Sequence, residues 1–165
     1  MTWSGHPRVA SLIDELHLVA HPEGGYYAQI FRSSLLVAPA DGRGSRPGLT
    51  TIYFLLPGGV QSRWHRVTSD EVWHFYEGAP LELLQLSSDL RSLTSVVLGP
   101  LAGRQEPVHT VVAGDWQAAR STGAYTLVGC TVGPGFDFDD FTMLSDLPHE
   151  SARLRLEWPD AAGLL

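Results

Sequence analysis

A histidine and a glutamate six residues apart are the strongest candidates for chemistry in this chain. His65 lies within residues 61–67, Glu71 opens residues 71–76, and both stretches are predicted to be β-strands. The polar residues 68–70 between them are predicted to reverse the chain, which would place Glu71 beside His65 across a hairpin. A neutral imidazole and a carboxylate inside an apolar β-structure can bind a metal ion. They can also act as a general base and its partner.

The elements around this pair are predicted to be one N-terminal helix followed by short strands. Val9, Leu12, Ile13 and Leu16 recur at the spacing of a helix face, and Pro22 restricts the residue before it, so a short N-terminal helix should end before His21. Eight to ten closely spaced strands then predict an all-β sandwich or barrel. The predicted strands cover residues 26–32, 50–56, 61–67, 71–76, 81–86, 93–98, 108–112, 116–120, 125–132 and 136–144. Residues 38–48 are predicted to be a loop, and the alternation in residues 153–156 predicts an additional edge strand.

The composition excludes several classes of protein. A length of 165 residues suits one domain, predicted to span residues 1–165. The net charge is −7 without any basic block, which argues against nucleic acid and anionic membranes as partners. Cys130 is the single cysteine, so no intrachain disulfide can form, and no apolar run is long enough to span a bilayer. We therefore expect a cytoplasmic protein whose partner is a small molecule.

The spacing of residues 59–78 resembles a known motif. The pattern follows the first motif of the cupin superfamily: Gly59, then His65 after five residues, Val67 after one, Glu71 after three and Gly78 after six. Further segments narrow the resemblance: HPEGGYY at 21–27, TTIYFLLPGG at 50–59, AGDWQAAR at 113–120 and VGCTVGPGFDFDDF at 128–141. Together they resemble the Cupin_5 (DUF985) family over about residues 9–147. The resemblance implies a double-stranded β-helix, or jelly roll, and a homodimer.

The chain departs from the cupin pattern at two metal-binding positions. Val67 stands where a second histidine is usual, and Gln117 stands where the second motif, P-x-G-x-x-H, has its histidine. Valine cannot bind a metal, and an amide oxygen is a weak, hard ligand. His65, Glu71 and Gln117 thus predict either a weakly bound divalent metal or none.

Other residues are weaker candidates for contact with a substrate. The predicted substrate-binding residues are Gln117, Tyr53, Trp73 and His74. For Tyr53 and Trp73 the alternative is plain core packing. In a regular strand His74 faces away from Glu71, whereas a β-bulge would turn it inward. His21 and Glu23 are interpreted as residues that organise a turn, and a place in the pocket is the alternative.

Three functions are compatible with these residues. The first is an isomerase or epimerase for a small, sugar-like polar molecule, in which His65 removes a proton beside a carbonyl and Glu71 orients it or acts as the acid. Cupin-type sugar-nucleotide epimerases lack a catalytic metal, and this chain is similar to them in having lost metal-binding histidines. The second is a metal-dependent oxygenase or hydrolase. The third is a ligand-binding jelly roll without catalysis.

Overall fold

The computed structural model describes residues 6–165. Two α-helices, α1 (Pro7–Glu15) and α2 (Pro148–Glu157), flank the strands, and short 3-10 helices span Phe138–Asp140, Leu144–Asp146 and Ala162–Leu164. The strands are β1 (Val19–Ala20), β2 (Tyr26–Arg32), β3 (Leu36–Val37), β4 (Arg46–Pro47), β5 (Thr50–Pro57), β6 (Gln61–Val67), β7 (Asp70–Gly78), β8 (Leu81–Leu86), β9 (Leu93–Leu98), β10 (Val108–Val111), β11 (Trp116–Ser121), β12 (Tyr125–Gly133) and β13 (Phe141–Met143).

Two antiparallel sheets pack face to face. One has six strands in the order β1-β2-β5-β12-β7-β10, and the other has five in the order β13-β6-β11-β8-β9. Alternate residues of both sheets point inward and form the main core, as expected for a sandwich. Its buried members are Phe54, Leu56, Trp73, Leu81, Leu83, Leu98, Val111, Ala119, Val128 and Cys130.

The helices cover the outer faces of the two sheets. α1 begins with Pro7 in its first turn and buries Val9 and Leu12 against Leu55 and Leu127 of the six-stranded sheet. α2 packs on the five-stranded sheet, where Leu154 is fully buried. The prediction of a short N-terminal helix is confirmed. No helix within residues 6–165 is long and apolar enough to cross a membrane.

The predicted hairpin between residues 61–67 and 71–76 is wrong. β6 belongs to the five-stranded sheet and β7 to the six-stranded sheet, so the corner at residues 68–69 carries the chain from one sheet to the other. Inward-pointing residues of β6 and β7 therefore face each other across the interior. This brings the His65 and Glu71 side chains into the same space without direct pairing of their strands.

Two other predictions of strands are corrected by the structure. Residues 153–156 lie in α2, where Leu154 packs on the sheet and Arg153 pairs with Glu157 one turn later, at Nε–Oε1 2.7 Å. Residues 136–144 form a strand only at β13. The Asp137 side chain accepts a hydrogen bond from the amide of Asp139 at the start of the preceding 3-10 helix, and this stops the extended conformation.

Candidate functional site

A cavity of about 190 Å³ lies between the two sheets at one end of the sandwich. An engineered apolar cavity of about 150 Å³ holds a benzene molecule, so this space suits a compound of a few more heavy atoms. The polar residues that line it are His21, Glu23, Tyr27, Gln29, Thr50, His65, Glu71 and Cys130. The apolar ones are Ile52, Phe54, Val67, Val132, Phe136, Phe138 and Phe141.

His65 is held in one orientation by its own strand. A bulge in the pairing of β6 with β11 turns both Ser62 and His65 toward the interior. The His65 Nδ1 atom lies 2.7 Å from the carbonyl oxygen of Arg63, which can only accept, so Nδ1 carries the hydrogen. The ring also stacks on Phe141 at a centroid distance of 5.4 Å. In the neutral imidazole, the lone pair is therefore on Nε2.

Glu23 is the direct partner of His65. Its Oε2 atom lies 3.0 Å from His65 Nε2, and its Oε1 atom accepts a hydrogen bond from Ser62 Oγ at 2.8 Å. The side chain is only 5 % exposed. Burial raises the pKa of the Glu23 carboxyl to about 7. Near neutral pH this carboxyl can consequently hold a proton and donate it to the lone pair of His65.

The turn before β2 puts Glu23 in this position. Gly24 has φ 116°, and a Cβ atom there would overlap the carbonyl oxygen of Gln61. The amide of Arg63 donates to the carbonyl oxygen of Glu23 at 2.9 Å, which ties the turn to β6. The glycine thus allows the backbone to approach β6 closely enough for Glu23 to reach His65.

Glu71 is connected to His65 through an amide. Gln117 Nε2 lies 2.5 Å from Glu71 Oε2 and 3.1 Å from His65 Nε2. On its other side, Gln117 Oε1 accepts a hydrogen bond from the indole of Trp73 at 2.9 Å. Because the indole can only donate, the amide oxygen must face Trp73 and the NH₂ group must face Glu71 and His65.

Burial sets the protonation of the remaining groups. It raises the pKa of Glu71, an effect that His65 opposes and to which the nearby Glu23 adds. It lowers the pKa of His65 below the ordinary 6.5. The pKa of the Cys130 thiol is raised well above its usual range, again chiefly by burial. At neutral pH the arrangement therefore favours a neutral imidazole beside protonatable carboxyls, and the thiol is not a nucleophile.

His21 lies next to Glu23, on the side toward the opening of the cavity. Its Nδ1 atom lies 3.3 Å from the amide nitrogen of Glu23 and 3.5 Å from Glu23 Oε2. The ring contacts Tyr27 edge-on at a centroid distance of 4.6 Å, and burial lowers its pKa. His21 and Glu23, interpreted from the sequence as turn residues, therefore do both: they shape the turn and line the cavity. Two ionisable residues beside Gly24 and Gly25 were the signal in the sequence.

Of the four residues predicted to bind substrate, two lie in the interior and two lie on the outer face of the six-stranded sheet. Gln117 and Trp73 form the polar network behind His65 and Glu71, although neither lines the open cavity. Tyr53 lies on the outer face of the six-stranded sheet, next to α1 and edge-on to Tyr76. His74 is three residues after Glu71 on the same strand, so it points to that outer face, beside Val108 of β10. The structure does not bring Tyr53 or His74 to the cavity.

The ligand set predicted from the sequence, His65, Glu71 and Gln117, does not fit a metal ion. Val67 presents hydrocarbon to the cavity, and Gln117 presents its NH₂ group, which is a donor and not a ligand. Between residues 6 and 165, no three His, Cys, Asp or Glu side chains are grouped as metal ligands. The metal role predicted for His65, Glu71 and Gln117 would require the amide to turn over and leave the Trp73 indole without its acceptor.

The opening of the cavity is formed by an aromatic segment, Phe136 to Phe141. Phe138 is 53 % exposed there and packs edge-on against Phe136 at 5.0 Å. Asp140, on the same segment, accepts two hydrogen bonds from Arg46, at 2.8 and 2.9 Å. A third contact, from Arg43 Nη1, is 3.2 Å long. This clamp ties the aromatic segment to the hairpin of β3 and β4.

Comparisons with known proteins agree with this geometry. The family model described as "Cupin superfamily (DUF985)", Cupin_5, matches residues 10–144. No curated protein matches the chain significantly. Among solved structures, a hypothetical protein from Leishmania major is 31 % identical with a TM-score of 0.81, and the match covers 94 % of each chain.

Two further solved structures are similar to this chain. A protein from Shewanella oneidensis is 34 % identical with a TM-score of 0.78, over 93 % of this chain and 92 % of that one. A cupin 2 conserved barrel domain protein from Rhodopseudomonas palustris is 14 % identical with a TM-score of 0.55, over 89 % and 84 %. At that identity the likeness concerns the fold alone. The predicted jelly-roll fold is confirmed.

Proposed function

The chain belongs to the Cupin_5 (DUF985) family of the cupin superfamily, and on that premise we propose that it is an isomerase- or epimerase-like enzyme acting by acid–base chemistry on a small polar compound. The observation that supports this most is the contact of 3.0 Å between Glu23 Oε2 and His65 Nε2 at the wall of the cavity. His65 is a base that is neutral near pH 7, Glu23 can stabilise its protonated form, and Glu71, whose pKa is raised by burial, can hold the proton that the reaction needs.

In the proposed reaction Glu23 is ionised, and His65 Nε2 takes a proton from a carbon atom beside a carbonyl group. The electron pair of the broken C–H bond forms the C=C bond of an enol, and Glu71 donates its proton to the carbonyl oxygen. Return of a proton to carbon and of the hydroxyl proton to Glu71 gives the isomer, so no oxidant or reductant is consumed. The imidazolium formed on the way donates from Nε2 to Glu23, which stabilises it.

The neighbouring residues position these groups. Arg63 fixes the tautomer of His65 through its backbone carbonyl oxygen. The Gln117 NH₂ group donates a hydrogen bond to Glu71 Oε2. The other carboxyl oxygen of Glu71 is then the one that carries the proton. The aromatic opening limits the access of water, which strengthens every electrostatic interaction inside.

Isotope exchange tests this proposal and does not require that the substrate be identified first. The protein is incubated in D₂O with a panel of small aldoses, ketoses, 2-hydroxy carbonyl compounds and their amino-substituted analogues, and ¹H NMR follows loss of the hydrogen beside each carbonyl. Wild type and the matched surface variant His149→Asn should catalyse exchange of at least one compound, whereas His65→Asn should not. Exchange that persists undiminished in His65→Asn would contradict the role given to His65.

Two measurements separate the other candidate functions. A stoichiometric metal in protein purified without added metal would favour the oxygenase or hydrolase. A compound retained in native mass spectrometry and released unchanged, with no exchange in the panel, would favour a non-catalytic ligand-binding protein.

A further inference from the structure

The donors of the polar network around His65 and Glu71 are already used within the protein. Gln117 donates to Glu71 and His65, and Ser62 donates to Glu23. The Nδ1 hydrogen of His65 goes to the carbonyl oxygen of Arg63. The polar atoms that this part of the wall leaves for a ligand are the carboxyl oxygens of Glu23 and Glu71. A ligand that satisfies this wall has to supply donors.

The charged residues around the cavity also favour a cationic ligand. None of the described residues that line it is an arginine, and the sequence contains no lysine. The arginines near the opening, Arg43 and Arg46, are paired with Asp140, and Asp137 and Asp139 lie on the same segment. When one of the two buried carboxyl groups is ionised, it repels a carboxylate or phosphate and attracts a cation, and no arginine or lysine side chain on the described cavity wall offsets its charge.

From these observations we propose that the substrate of this cavity carries a protonated amine, so that it is a small primary ammonium compound. An ammonium group has three donors and no acceptor, which matches the wall formed by Glu23 and Glu71. Glu23 pairs with this charge as a carboxylate, while Glu71 keeps the proton that the proposed reaction uses. The inference rests on the proposed function only in taking this cavity as the substrate site.

The remaining lining suits the carbon part of such a molecule. Phe54, Phe136 and Phe141 give the cavity apolar walls, and the volume of about 190 Å³ holds a compound of a few carbon atoms in addition to the amine. Aromatic rings also attract a nearby cation through their electron-rich faces. A nucleotide or another large anion does not fit in size or in charge.

Three small compounds that share an isopropyl group test the preference for charge. Isobutylammonium, isobutanol and isobutyrate are titrated separately into wild-type protein at neutral pH, and the amide signals of Glu23 and Cys130 are followed by NMR. Isobutylammonium should bind at least about ten-fold more tightly than isobutanol, since its hydrogen bonds are charge-assisted. Isobutyrate should bind most weakly. Equal binding of cation and alcohol, or tightest binding of isobutyrate, would overturn the proposal, as would no shift with the cation.

Two variants test whether the preference for the cation arises in this cavity. Glu23→Gln keeps the shape of the side chain and removes its charge, so it should reduce binding of isobutylammonium several-fold and leave isobutanol unchanged. Val67→Phe fills the cavity and should abolish binding of both. A cation effect unchanged in both variants would place it elsewhere and overturn the proposal. Isotope exchange that requires His65 but occurs only with uncharged carbonyl compounds would refute the ammonium substrate alone and leave the proposed function standing.

Discussion

Replacing Glu23 with glutamine should remove a pH dependence of stability that the buried carboxyl creates. Glutamine has the same shape, its amide oxygen can accept the hydrogen bond from Ser62, and its NH₂ group can donate to His65 Nε2. The variant thus imitates the protonated form of Glu23 at every pH. The comparison needs no substrate, so it examines the site independently of the reaction proposed for it.

The expected magnitude follows from the pKa of Glu23. Burial raises it from the ordinary 4.5 to about 7, so the folded state binds this proton more tightly than the unfolded state. The resulting stabilisation is complete below pH 4.5 and is lost as the pH rises through 7. At about 1.36 kcal/mol for each pKa unit, the wild type loses about 3 kcal/mol of its free energy of unfolding. Glu23→Gln does not have this loss. His21 and His65 have lowered pKa values and act in the opposite direction below pH 6.5, but both proteins contain them.

Urea denaturation at several pH values measures this difference. The free energy of unfolding of Glu23→Gln, relative to that of wild type, should increase by about 3 kcal/mol between pH about 4.5 and about 8. Glu106→Gln, a change at an exposed glutamate, serves as the matched control and should run parallel to wild type. Parallel curves for Glu23→Gln and wild type would refute the protonated, buried state assigned to Glu23.

Two further substitutions test the supports of the site. Gln117→Leu should destabilise the protein by about 2–4 kcal/mol in urea denaturation, because it leaves the Trp73 indole and a buried carboxyl without partners. A loss below about 0.5 kcal/mol would contradict the network. Asp140→Asn should weaken the clamp to Arg46 and speed hydrogen exchange in residues 136–141, whereas the exposed Asp139→Asn should not. Equal exchange in the two variants would contradict the clamp.

The fold was largely predictable because its signals are local. Strand lengths, turns and the apolar spacing of the first helix depend on neighbouring residues, and nearly all the predicted strands are present. The exceptions have local conformations that alternation alone does not reveal. Residues 153–156 alternate like a strand, yet a helix buries Leu154 and joins Arg153 to Glu157 one turn apart.

The site was predictable only in part, since it joins distant segments. The spacing within residues 59–78 pointed to His65 and Glu71, and both line the cavity. Glu23 was missed as the direct partner of His65, because the two residues are far apart in sequence and meet only through the close approach allowed by Gly24. The orientation of the Gln117 amide likewise depends on a single indole across the interior.

The proposed chemistry requires that His65 is a neutral base with its lone pair on Nε2 inside the cavity. Two-dimensional ¹H–¹⁵N NMR of the histidine rings, with His65 identified by comparison with His65→Asn, measures its tautomer and its pKa directly. We expect a hydrogen on Nδ1, an unprotonated Nε2 at neutral pH and a pKa below 6.5. A hydrogen on Nε2 alone, or a charged imidazolium that persists at neutral pH, would contradict this assignment.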